Sequence, residues 1–211
     1  LKTKYIKVPS GEINNYPLLV QLQKTKSKII LSTGMSNLKE IVLSLNIIAN
    51  NEIYKFVNKK KVIIKNKKLH NKFKKSICIL HCVTDYPVEN KYANLSAIEN
   101  LKKNLDLRIG YSDHTLGILA PLIAVSKGAK IIEKHFTLNN NMPGPDHKAS
   151  LEPNEFKKMV DYLRIFEVMN GNGQKKLQKC ELKNINIARK SIVAKKFIKK
   201  NELFSYLNLT T

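Results

Sequence analysis

The sequence predicts an α/β protein whose strands form one parallel sheet, doubly wound or closed. Five short apolar runs, apolar enough to be buried on both faces, recur at spacings of roughly 20 to 50 residues, as crossover-linked parallel strands do. Each run ends in polar side chains, and helical stretches with cap or stop residues lie between them. A closed eight-strand barrel typically takes about 250 residues. Five strands within 211 residues therefore read as the second part of such a barrel.

The first strand lies in YIKVPSGE, from Tyr5, and stops at Pro9, with Lys7, Ser10 and Glu12 as its polar cargo. A short helical or irregular connection leads to KIILSTGM, from Lys28, which ends in Ser32, Thr33 and Gly34. The helix SNLKEIVLSLNIIAN follows behind a Ser36 or Asn37 cap. Gly34 ahead of a helix N-terminus is a phosphate-cradle pattern of low specificity. The lysine-rich stretch of about 51–75 interrupts the rhythm and reads as an insertion peripheral to the chemistry, with KKVIIK as a small added strand. SICILHC is the third strand and VTDYP places Thr84 and Tyr86 at its end; helix NLSAIENLKKNL runs from about Asn94. RIGYSDH, a helix LGILAPLIAVSKG closed by Gly128, and strand KIIEKHF come next. The last good helix starts at Pro153 and Glu155 and reaches about Met169. From Ala188 the pattern changes to short strands with basic turns, as if a second domain began there.

The segment from Ile109 to His147 carries the sharpest chemistry. Strand side chains alternate faces, so Ser112 pairs with His114, Glu133 pairs with His135, and Asp113 and Lys134 face away. If the two strands are neighbours, their imidazoles converge at the C-terminal edge, where parallel sheets keep their sites. Two converging histidines suit a divalent metal. Read from the residues alone, satisfied core or rim histidines stay open as the alternative, as do a turn role for Asp146 and a surface pair for Glu133.

The net charge is +22, yet of the 38 basic residues only Arg108, Arg164 and Arg189 are arginine. Base-edge and bidentate phosphate recognition rely on arginine, so the excess reads as a lysine-rich coding bias and nucleic acid is disfavoured as a partner. Ten lysines and no acid between Lys55 and Lys75 fit a solvated loop or hairpin. No apolar run approaches the roughly 20 residues of a membrane span, and no secretory leader is recognisable, which together suggest a cytoplasmic protein. The start at Leu1, with a strand only a few residues on, suggests a fragment. Cys78, Cys82 and Cys180 lack paired spacing and are expected as reduced, packing thiols.

KVPSGE, LSTGM, HCVTDYP, GYSDHTLG, IEKHFTL, GPDHKASLEP and ARKSIVA, in that order, resemble the sialic acid synthases and their legionaminic acid synthase relatives. The resemblance covers most of the chain except the lysine-rich insertion and the last few residues. It implies the last five strands of a TIM (β/α)8 barrel over residues 1–173, a linker over 174–187 and the truncated start of a small antifreeze-like (SAF, β-clip) domain over 188–211. It also implies a homodimer when full length, a divalent metal, Mn2+ or Mg2+, and phosphoenolpyruvate and an N-acetylated amino sugar as substrates. The reaction would be a condensation giving a nine-carbon sialic acid and phosphate. The metal ligands would fall on His114 and His135, and the phosphoenolpyruvate contacts on Lys7, Ser10, Ser32, Thr84 and Ser112. Thr84 holds a position that is usually Asn or Thr. Sugar contacts would fall on Glu12, Tyr86 and Asp146, and Glu133 would handle protons beside His135. His147 and Lys148 make GPDHKAS resemble the sialate and legionaminate enzymes more than the pseudaminate ones. The alternatives are a pseudaminate synthase, another phosphoenolpyruvate-using synthase, a basic nucleic-acid-binding protein, or a non-catalytic remnant. The isolated chain is expected to be inactive, as an incomplete barrel.

Overall fold

In the computed structural model, residues 3–57 and 61–211 are described; the expected fragment start at Leu1 and the middle of the lysine-rich stretch, including the first residue of KKVIIK, lie outside them. Two compact units divide the chain, Leu1–Met169 and Asn170–Thr211.

The first unit opens with β1 (Tyr5–Val8), a 3-10 turn at Ser10–Glu12 and α1 (Tyr16–Leu22), then β2 (Lys28–Ser32) and α2 (Leu38–Ile48). Asn37 caps α2 in a capping box, its side chain accepting from Lys39 and Glu40 N–H while Glu40 accepts from Asn37 N–H. A hairpin, β3 (Tyr54–Val57) and β4 (Lys61–Ile64), and α3 (Lys67–Phe73) follow. After β5 (Ile77–Cys82) come α4 (Ala97–Leu105), β6 (Arg108–Asp113), α5 (Leu119–Ser126), β7 (Ile132–Lys134) and α6 (Pro153–Asn170). The five expected strands form one parallel sheet in the order β1-β2-β5-β6-β7. β5 is its middle strand and is buried at all six positions, which is why SICILHC reads as a continuous apolar run.

Alternation splits the sheet into two chemistries. Ile29, Leu31, Ile77, Ile79, Ile109 and Tyr111 join the core shared with Leu45 of α2 and Ile98 and Leu105 of α4. The opposite register holds Ser32, Cys82, Gly110 and Ser112. A Cβ on Gly110 would lie 2.5 Å from Leu80 Cδ2 and 2.6 Å from Ile131 O, so only glycine fits that position. On that face Ile30 and Leu80 stay apolar, while Ser32, Cys82 and Ser112 gather the polar groups toward the C-terminal strand ends.

The lysine-rich stretch is anchored more firmly than a solvated loop would be. Ile53, Tyr54, Val62 and Phe73 belong to the core, and Tyr54 donates its hydroxyl to Leu105 O at 3.0 Å. Burial raises the Tyr54 pKa, with the Asp106 charge adding to it. The thiols divide: Cys78 and Cys82 are buried, but Cys180 is exposed. The expectation that all three pack is thus corrected for Cys180, whose surrounding segment buries almost nothing.

The second unit holds a 3-10 turn at Lys179–Glu181, α7 (Leu182–Ala188), and a two-stranded antiparallel pair, β8 (Val193–Ala194) with β9 (Leu209–Thr210). Asn208 is its buried centre, donating to Glu202 Oε1 and Leu203 O and accepting from Ser205 N–H. Among the described residues no helix is long and apolar enough to cross a membrane.

Candidate active site

Every proposed site residue lies at or just beyond a C-terminal strand end of the five-stranded sheet or on the loops that follow. Lys7, on β1, brings Nζ within 3.3 Å of Glu133 Oε2 on β7. Ser112, on β6, donates to Glu133 Oε1 at 2.8 Å. The register explains this second contact, because Ser112 and Glu133 are direct partners across β6 and β7, with Cys82 on Ser112's other side. One half-exposed carboxylate therefore ties an ammonium from one edge of the sheet to a hydroxyl near the other.

Beside it, the turn after β2 approaches two neighbouring loops. Gly34 N–H donates to Ser10 Oγ at 3.0 Å. A Cβ at Gly34 would overlap Thr84 Oγ1 and lie 2.8 Å from Ser10 Oγ, so the absence of a side chain is what lets these hydroxyls close in. Ser32 Oγ and Thr84 Oγ1 are buried and find no hydrogen-bond partner among the described residues. Buried hydroxyls are nearly always paired. Two unpaired ones beside a backbone turn, with a lysine on the adjacent strand end, are an arrangement whose chemistry suits the oxygen atoms of an anion.

The other corner is aromatic and titratable. The His114 and His135 rings meet edge to face with centroids 5.2 Å apart. The Tyr86 ring stands 4.2 Å from the first and 5.5 Å from the second. His114 Nδ1 lies 2.8 Å from Val83 O, an oxygen that only accepts, so Nδ1 carries the proton and Nε2 keeps its lone pair in the neutral ring. Burial alone would lower the His114 pKa, but hydrogen bonds to Cys82 and Val83 and the charges of Cys82 and Asp113 outweigh it and raise the value. Cys82 responds in the opposite sense: burial would raise its pKa, while His114, Ser10 and Ser112 together bring it below the ordinary thiol value. Asp146 Oδ2 is 4.0 Å from His135 Nδ1. Glu12 stands apart, bonded by Asn15 Nδ2 at 2.5 Å.

A family model, the NeuB family, matches residues 1–175. The chain belongs to the NeuB family. It is 49% identical over 211 residues to the N,N'-diacetyllegionaminic acid synthase of Campylobacter jejuni, covering 100% of this chain and 58% of that protein. It is 36% identical over 203 residues to the pseudaminic acid synthase of the same organism, covering 96% of this chain and 53% of that one. The crystal structure of an N-acetylneuraminic acid (sialic acid) synthetase from Leptospira borgpetersenii in complex with citrate superposes with a TM-score of 0.71 at 34% identity, covering 87% of this chain and 57% of that chain. The chain thus spans about half the length of the relatives it matches, and over that half it has the α/β barrel-type sheet of the NeuB family.

Among the described residues no three His, Cys, Asp or Glu side chains are grouped as a metal site. The donors that suit a divalent ion are the two imidazoles. Holding Nδ1 on a backbone carbonyl is the usual way to aim Nε2 at a metal, and His114 is so held. The donor set therefore fits an ion bound by two protein ligands with its other positions open to substrate or water.

Sequence reasoning passed over the backing of this NeuB site. Asp113 and Lys134 form an ion pair at 2.7 Å with side-chain exposures of 0% and 1%. It also passed over the loop that carries Asp146. Thr137 Oγ1 meets His147 Nδ1 at 2.7 Å, and Asn140 donates to His147 O and Ser150 O. For the Asp113–Lys134 pair the sequence showed two opposite charges on the faces turned from the site, but their meeting depends on β6 and β7 being neighbours. The Asn140 contacts had no sequence signal, since they depend on how an irregular loop folds back.

Proposed function

We propose that the whole protein condenses phosphoenolpyruvate with an N-acetylated mannosamine-type sugar to give a nine-carbon sialic acid of the legionaminate or neuraminate type and phosphate. The observation that carries this reading is the joining, through Glu133, of Lys7 and Ser112 beside a two-imidazole corner and two unpaired hydroxyls. The higher identity to the legionaminic acid synthase than to the pseudaminic acid synthase favours the first substrate class.

Lys7, Ser10, Ser32, Thr84 and Ser112 bind phosphate and carboxylate oxygens, a contribution preorganised groups make without reorganising during the reaction. A divalent ion, Mn2+ or Mg2+, held by His114 and His135 would polarise the aldehyde oxygen of the open-chain sugar. The methylene carbon of phosphoenolpyruvate forms the new carbon–carbon bond, and water adds to the cationic second carbon. Phosphate then leaves by cleavage of its carbon–oxygen bond. Glu133 is placed to take the proton of that water. When phosphate engages Lys7, the ammonium is drawn from Glu133 and leaves a freer base. Tyr86, Asp146 and Glu12 contact the sugar.

The domain reading stays a barrel part over 1–173, a linker over 174–187 and the start of an antifreeze-like domain over 188–211, in a cytoplasmic homodimer. The test is phosphate release by the full-length protein with phosphoenolpyruvate, Mn2+ and, in parallel, N-acetylmannosamine, the diacetylated legionaminate precursor and the pseudaminate precursor. Release with either of the first two supports the proposal; release with the pseudaminate precursor alone moves the protein to the rival class. The 211 residues alone are expected to be silent, because β1 and β7 each have one open edge among the described residues and five strands do not close a barrel.

A further inference from the structure

The buried ion pair behind the histidines has no part in the chemistry above. β6 and β7 are in register, Asp113 opposite Lys134, so each partner is one residue from a candidate metal ligand. Alternation turns Asp113 and Lys134 to the helix side and His114 and His135 to the site. Asp113 Oδ2 accepts from Lys134 Nζ at 2.7 Å, while Oδ1 accepts from Tyr111 Oη at 3.0 Å, Thr115 N at 2.9 Å and Thr115 Oγ1 at 2.8 Å. Lys134 Nζ also donates to Thr115 O. These bonds fix the turn by which β6 leaves the sheet and tie it to the end of β7. The backbone is pinned on either side: Val88 N–H donates to His114 O and Leu151 N–H to His135 O, both at 2.9 Å.

A fully desolvated ion pair is a poor source of stability, because taking two charges out of water costs about what their attraction returns. Its hydrogen bonds do impose one geometry. We propose that Asp113 and Lys134 are positioning residues that set the separation and angle of the His114 and His135 rings and so create the two-imidazole metal site; this rests on the metal reading above. β7 has three residues, so the side-chain pair is added to a short ladder and to the backbone bonds from Leu151. The pair is the cross-link that stops the two strand ends from splaying.

The test is made on the full-length protein with Mn2+ alone as probe. Asp113→Asn combined with Lys134→Met removes both charges and leaves no buried ion unpaired. The expected result is unchanged far-UV circular dichroism, a Mn2+ dissociation constant raised about 10- to 100-fold, the range typical when a group orienting a ligand is removed, and loss of the nuclear Overhauser contact between the two rings. Lys134→Arg, which keeps the charge but cannot keep the same bonds, should show smaller changes in the same direction. A folded double variant that retains the ring contact, or that binds Mn2+ within about twofold of the parent, overturns the proposal. If the double variant does not fold, Lys134→Arg decides by the same two readouts. If the parent binds no Mn2+, the metal reading fails while the ring contact still decides the positioning role.

Discussion

Replacing Gly34 by alanine tests the anion cradle with one methyl group. The Gly34 backbone is not in the left-handed region, so alanine adds no backbone strain and the effect is steric. Its Cβ would overlap Thr84 Oγ1 and come within 2.8 Å of Ser10 Oγ, both short of van der Waals contact. Ser10 Oγ is held by the Gly34 N–H itself, so Thr84 has to rotate and its buried hydroxyl turns away. Overpacking of this kind costs about 1–3 kcal/mol of stability. One lost hydrogen bond to a charged oxygen is worth about 1.5–3 kcal/mol, or about 10- to 100-fold in affinity. Titration calorimetry with phosphoenolpyruvate, alongside urea unfolding, separates the two effects. Affinity unchanged in a folded variant would refute the assignment of the Ser10, Gly34 and Thr84 cluster to anion binding.

Glu133→Gln keeps the bond to Ser112 and removes the partner charge of Lys7; phosphoenolpyruvate should bind as well or better while phosphate release by the full-length protein falls about 100-fold or more, and equal turnover would remove Glu133 from proton handling. Tyr54→Phe deletes the hydroxyl bonded to Leu105 O, a carbonyl also met by His70 Nε2 at 3.1 Å; since that oxygen keeps a partner, the cost should be about 0.5–1.5 kcal/mol by urea unfolding, and no change would mean that the hairpin is not anchored there. His81 is buried against Ala93 O; burial lowers its pKa, with the Ala93 bond opposing. The unfolded chain then binds the proton first, so the stabilising contribution of neutral His81 is complete above about pH 6.5 and is lost as pH falls through the folded value. His81→Gln should flatten the fall in stability between about pH 7 and 5, measured by urea midpoints; an unaltered slope would assign the acid sensitivity elsewhere.

The existence and parallel type of the sheet strands were legible because parallel strands buried on both faces read as short apolar runs, as SICILHC and KIILS do. The lysine-rich stretch was harder. YKFV and KVII do alternate, but Lys55 and Lys61 on the outward side and the lysines flanking the two strands dominate the composition and hide the apolar row that enters the core through Tyr54 and Val62. The Cys180 expectation failed for the complementary reason: a thiol packs only where its neighbours build a core, and α7 buries no residue.

The site divides along the same physical line. Period-two alternation alone put Ser112 with His114 and Glu133 with His135, on the face where Glu133 meets Lys7 and Ser112, and left Asp113 and Lys134 on the other. What alternation could not supply is which strand lies beside which, and that relation turns Asp113 and Lys134 from two strand-end charges into one buried pair. Loop partners such as His147 for Thr137 are further from reach, because no periodicity governs them. The pairs Ser112 with His114 and Glu133 with His135 were therefore visible from the pattern of each strand alone and the other assigned side chains came from the family resemblance, while those that hold them in place became visible only once neighbouring strands were set in register.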